Sequence, residues 1–242
     1  MAYPVVLALE DFVPTFLGSV GFGLLGRLAP TSPARRAGLA GAVLIGLGGG
    51  AKCLWKLLVA AGAGDFPVLE QALFPLMAAG ACLLAWSLAV TIRRGRRTQV
   101  WGFVVVYLVG VGGSIAAGSL HPMFVVATFG VTAVSVLGAI VAGRYRQWWA
   151  VSLFVLGLVL VTSLVPLRQS PKHETLAYQW LEQSLNTSAQ LALLVAALLT
   201  VRALRLSPVF SPTASSPAGP FSSATSSTPD SAVASGTLEE TA

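Results

Sequence analysis

Charge is scarce in this sequence. Of its 242 residues only 10% are Asp, Glu, Lys or Arg, while 55% are hydrophobic. A soluble domain carries about 25% charged residues, so a surface that meets water on every side is excluded. Apolar surface in this amount needs a bilayer. Histidine and cysteine are scarce as well, each present only twice, as His121, His173, Cys53 and Cys82. No His/Cys/Asp/Glu cluster has zinc spacing, which argues against a metalloenzyme, and neither metal nor cofactor is expected. Both cysteines fall inside apolar runs at different depths, so free thiols are expected rather than a disulfide. Ser114 and Ser119 stand near His121, but neither lies in a nucleophile-elbow pattern. There is no P-loop and no Gly-x-Gly-x-x-Gly between a strand and a helix. The first nine residues lack a basic n-region and no small-residue cleavage site follows, so no cleaved signal peptide is expected. An enzyme would need a nucleophile or metal that the chain hardly offers.

What is present is a series of apolar runs. A spanning helix needs about 20 mostly apolar residues. Seven stretches qualify: Pro4–Leu28, Gly38–Ala63, Val68–Ile92, Val100–Leu120, Pro122–Gly143, Trp148–Leu167 and Leu176–Leu204. The last is polar in its first half. Arg27, Arg35 and Arg36 lie between the first two stretches. Arg93, Arg94, Arg96 and Arg97 lie between the third and fourth, and Arg144 and Arg146 between the fifth and sixth. Arg202 and Arg205 follow the seventh. Every second connection is therefore basic. The others carry Asp65, His121 and the mixed Arg168, Lys172, His173, Glu174 segment. The net charge of +6 thus reads as positive-inside loops, not as a nucleic-acid surface. The sequence predicts an all-α, seven-transmembrane-helix bundle, multi-pass in the cell membrane, with its N-terminus outside and its C-terminus cytoplasmic.

Residues 1–206 form this membrane domain. Residues 207–242 are rich in Ser, Thr, Pro and Ala, with Asp230, Glu239 and Glu240 as their only charges. They hold too few large apolar residues to offset the entropy of ordering, and a disordered cytoplasmic tail is expected.

Lys52 and Lys56 stand out, because the run from Ala37 to Ala63 holds no other charge. An ammonium near the bilayer centre costs roughly 2.5–3.5 kcal/mol on insertion scales. Their four-residue spacing puts both on one helix face. Lys56 lies about two turns below the outer end of its helix and Lys52 about three. Snorkelling to the headgroups is open to Lys56; Lys52 is deeper and needs a partner. Glu10, Asp11 and Glu70 are the acids at matching depth. In the last stretch Gln179, Gln183, Asn186 and Gln190 share one face, with Glu182 and Thr187 beside it. The lysines, acids and amides all fall in the outer half. They either line a polar pocket for a small polar or anionic ligand, or form structural ion pairs and interhelical hydrogen bonds.

Glycine and proline add further expectations. Gly46, Gly48, Gly49 and Gly50 precede Lys52, and either break the helix or let a neighbour approach closely. Gly110, Ser114 and Gly118 form a small-residue ridge for packing. Pro14 and Pro75 should kink their helices about one turn below their acids. Leu9–Pro14 and Leu69–Pro75 echo each other, which suggests duplicated hairpins or merely shared composition. Trp101, Trp148 and Trp149 follow arginines and read as an interfacial belt.

The seven-helix, N-outside layout is shared by retinal proteins, but Leu191 to Val201 holds no lysine for a Schiff base. The functional expectation is a small-molecule transporter or permease-like carrier, with Lys52 and Lys56 holding an anionic group, Glu10, Asp11 and Glu70 pairing with them or relaying protons, and Gln183 and Asn186 orienting the ligand. The alternatives are a receptor or accessory subunit whose ion pairs are structural, and a lipid-modifying membrane enzyme. Beyond the lipid bilayer and such a ligand the sequence names no partner, and it leaves the oligomeric state open.

Overall fold

The computed structural model describes residues 5–94, 98–169 and 175–206. The tail expected at 207–242 lies outside the described residues, as do His173 and the arginines at 96 and 97. The described residues are helical and contain no strand. The helices are α1 (Val5–Glu10), α2 (Phe12–Gly26), α3 (Ser32–Ala60), α4 (Pro67–Gln71), α5 (Leu73–Ile92), α6 (Trp101–Ala117), α7 (His121–Arg144), α8 (Trp148–Gln169) and α9 (Leu176–Leu206).

Two of the divisions have the same cause. Pro14 and Pro75 each occupy the third position of a helix. A proline ring cannot donate to the carbonyl four residues back and crowds it. Those carbonyls belong to Glu10 and Gln71, where α1 and α4 end. The breaks therefore fall at the level of the acids, at Asp11 and Ala72, and not a turn deeper as expected. The backbone still runs on: the Asp11 N–H reaches Leu7 O at 3.4 Å and the Ala72 N–H reaches Val68 O at 3.0 Å. Each pair thus forms one apolar segment, Val5–Gly26 and Pro67–Ile92.

Five helical segments are long and apolar enough to cross a membrane: Val5–Gly26, Ser32–Ala60, Pro67–Ile92, His121–Arg144 and Leu176–Leu206. Two shorter apolar helical stretches, Trp101–Ala117 and Trp148–Leu164, accompany them. Phe16, Ile115, Phe129 and Val109 are each at least 66% exposed, far more apolar surface than water tolerates in one molecule. The architecture is compatible with a membrane protein.

Small residues set the helix pairings. α2 and α3 run antiparallel, with Gly26 against Gly38 at one end and Thr15 against Gly49 nearer the other. A Cβ added to Gly26 would lie 2.6 Å from the Gly38 carbonyl carbon, and one added to Gly41 would lie 2.5 Å from Gly80 O of α5. Such backbone approach is the packing that lipid-embedded helices use. It also decides the glycine run before Lys52: α3 is unbroken there, and Gly46, Gly48 and Gly49 admit neighbours while Gly50 faces open space. α9 lies parallel to α2, with Gln190 at Gly18 and Leu193 at Gly21. The α6 ridge is shorter than expected. Gly110 meets Met123 and Val126 of α7, but Gly118 ends α6 with φ +59°, a left-handed cap that glycine takes at no steric cost.

These pairings bring the arginine-bearing ends together. The Arg144 guanidinium at the end of α7 donates to the Ile92 carbonyl at the end of α5. The largest core cluster, which includes Phe22, Leu25, Leu84, Leu88, Val141 and Phe154, fills the half of the bundle next to those ends. The opposite half is where the polar residues meet.

Candidate functional site

The site forms around the break between α1 and α2. Asp11 occupies the junction and is only 9% exposed. Its carboxylate does not cap α2. One oxygen, Oδ2, pairs with Lys56 Nζ of α3 at 2.5 Å. The other, Oδ1, accepts from Gln183 Nε2 of α9. The Asp11 carbonyl is used as well, accepting from Thr15 Oγ1 at 3.0 Å and from Cys53 Sγ at 3.3 Å. One residue thus ties the first apolar segment to two others that are distant in sequence.

Glu10 makes a second link of the same kind, its Oε1 accepting from Thr187 Oγ1 of α9 at 2.7 Å. Its Oε2 is buried with no hydrogen-bond partner among the described residues, and so is Gln190 Oε1, packed against Gly18. Both are acceptors.

Of the residues singled out from sequence, Asp11, Lys56, Gln183 and Glu10 fall into this one network. Lys56 turns inward onto Asp11, although snorkelling was open to it. Which lysine pairs with Asp11 was open from sequence, and Lys56 is a partner in the structure. Lys52 is half-buried one turn farther along α3, beside the buried Cys53. Asn186 is half-buried and makes no side-chain hydrogen bond among the described residues. Glu70, on α4, is exposed. The echo between the two proline segments therefore extends to their backbone breaks and not to their surroundings.

Thr15, Cys53 and Thr187 were not among the predicted site residues. A signal for the first two exists. Asp11, Thr15 and Ser19 recur every four residues, and Gly46, Gly49, Cys53 and Lys56 recur every three or four. Each set is one helix face, and the two faces meet: Ser19 at Gly46, Thr15 at Gly49 and Asp11 at Cys53 and Lys56.

Chemically, the arrangement is a buried acid shared between an ammonium and an amide. Lys56 lies four residues from the end of α3, about 6 Å along the axis, which leaves the pair within reach of the aqueous boundary. Such a group can bind an anion if the lysine exchanges Asp11 for it, or it can lock three helices together. No protein-family model, curated protein or solved structure matches the chain.

Proposed function

We propose that this chain is a seven-span protein of the cell membrane, with its N-terminus outside, that carries a small polar or anionic solute through the Asp11–Lys56–Gln183 site. The two shorter helical stretches count as spans in this reading. Seventeen residues rise about 25 Å, near the lower limit for a hydrocarbon core of about 30 Å. Arginines concentrated in alternate connections, with Arg168 the exception, support the orientation.

The observation that carries the functional reading is the Asp11 carboxylate, buried at a break in an apolar segment and shared between α3 and α9. Carriers place polar sites at such helix breaks, because the site must open and reclose as helices rock. In the carrier, a carboxylate or phosphate group of the solute takes the place of Asp11 on the Lys56 ammonium. Gln183 then holds either the freed Asp11 or the solute. Glu10 and Thr187 sit beside this exchange, and Lys52 and Asn186 line the same half.

The test is uptake into proteoliposomes that enclose a pH-sensitive dye, with a panel of small carboxylates, phosphates and amino acids. At least one solute should collapse an imposed pH gradient or accumulate as label, and Lys56→Met should abolish that flux. Absence of flux with every member of the panel contradicts the carrier reading.

A second reading is favoured by the closure of the network, since Asp11 is already saturated by protein groups. In that reading the chain is a receptor or accessory subunit and the ion pair is a clamp. A stable complex with another membrane protein, unchanged by the double variant Asp11→Asn/Lys56→Met, would support it.

A further inference from the structure

We infer that the groove between α7 and α8 holds an acyl chain of an anionic phospholipid, whose phosphate lies against Arg146. The groove has a volume of about 300 Å³ and an apolar lining. Ser135, Ala139 and Gly143 recur every four residues on α7, so one face of that helix recedes along two turns. Val151, Val155 and Leu158 of α8 form the facing wall. The helices cannot close over this gap because Phe154 already fills the contact beside it. A Cβ added to Gly138 would lie 2.9 Å from the Phe154 ring.

The lining selects the occupant. Ser135 spends its hydroxyl on the Val131 carbonyl of its own helix at 3.1 Å. Water would therefore find no partner here, and apolar cavities stay dry. A hydrocarbon chain needs none. At one end the groove is bounded by Gly143 and Trp148, which bracket the basic turn between α7 and α8.

Two arginines occupy that turn, and they differ. Arg144 already donates to the Ile92 carbonyl of α5. Arg146 is exposed and adopts φ +57°, a left-handed conformation that is strained for a residue with a Cβ. Trp148, 67% exposed, stands at the same mouth. No acid occurs at this end of the bundle among the described residues, so the mouth complements a phosphate. Basic pockets between membrane helices on the cytoplasmic side recognise anionic headgroups in this manner. A zwitterionic lipid offers the same phosphate but sets a quaternary ammonium beside it and gains less from Arg146, and an apolar helix gains nothing from it.

The experiment is tryptophan quenching of the full-length protein in mixed micelles, using phosphatidylglycerol or phosphatidylcholine brominated on the acyl chain. A Trp148→Phe variant isolates the contribution of Trp148. Brominated phosphatidylglycerol should quench Trp148 at about fivefold lower mole fraction than brominated phosphatidylcholine, the effect of one arginine near an anionic headgroup. Arg146→Gln, an exposed change with circular dichroism as the folding control, should erase that preference. Ala139→Phe should fill the groove and lower quenching by both lipids. Equal quenching by the two lipids in the native protein overturns the inference. So does a preference that survives Arg146→Gln, displacement of the lipid by free glycerol phosphate, or disulfide cross-linking of Ala139→Cys chains to each other through the groove.

Discussion

The two ends of the bundle treat charge in opposite ways. At the end holding Glu10, Asp11 and Lys56 the charges sit within apolar segments and are used by one another. At the other end the arginines sit at helix termini, exposed, with no acid among the described residues there. Arg35, Arg36, Arg93 and Arg146 are all exposed, whereas the Lys56 and Asp11 side chains are 25% and 12% exposed. A charge at a helix terminus keeps its hydration or meets headgroups and requires no partner. A charge a turn or more inside does, and here the partner comes from another helix. In the proposed topology the first arrangement orients the chain in a bilayer, and the second ties helices together.

That contrast predicts unequal costs, and the largest should come at Lys56. Lys56→Met leaves the Asp11 carboxylate buried with the Gln183 amide as its donor among the described residues. Breaking a buried pair this way costs about 3–5 kcal/mol, readable as a lower midpoint when the purified protein is titrated with denaturing detergent. A midpoint equal to that of the native chain would show that the pair is dispensable. Gly26→Ala comes next. Its new Cβ would meet the Gly38 backbone, which cannot move aside as a flexible side chain can, so overpacking should cost about 2 kcal/mol. Gly50, with nothing within 4 Å of a built Cβ, supplies the control: Gly50→Ala should shift the same midpoint by less than about 0.5 kcal/mol. Thr187→Val removes the donor to Glu10 and should cost about 1.5 kcal/mol, as expected for a hydrogen bond to a charged group. Thermal unfolding followed by tryptophan fluorescence would register it. At the opposite end Arg35→Gln should leave stability within about 0.5 kcal/mol of native. A destabilisation at Arg35 as large as that at Lys56 would erase the distinction between the ends.

Much of the fold was legible because each apolar segment is long and its neighbours are charged or glycine-rich. The break in the first segment was legible only in part. Pro14 announces it, but the ring acts on the carbonyl four residues back, and that shift places Asp11, not an apolar residue, at the junction. The partner of Asp11 was harder to read. Lys52 and Lys56 share a face and lie one turn apart, so the sequence left open which of them meets Asp11. The choice depends on how α3 is rotated and staggered against α2, and the Gly46, Gly49 and Cys53 contacts set that. The role of Gly118 was missed for a similar reason. A small residue at ridge spacing looks the same whether the helix continues through it or stops, and only the backbone turn distinguishes the two.

The central claim is that Asp11 and Lys56 act as one unit across two segments. A double-mutant cycle with Asp11→Asn, Lys56→Met and the double variant tests it most directly, with stability measured by detergent titration of the purified chain. Removing both charges of a buried pair costs far less than removing one, so the loss in the double variant should fall short of the summed single losses by more than about 2 kcal/mol. Losses that add to within about 0.5 kcal/mol, as for independent sites, would contradict the claim.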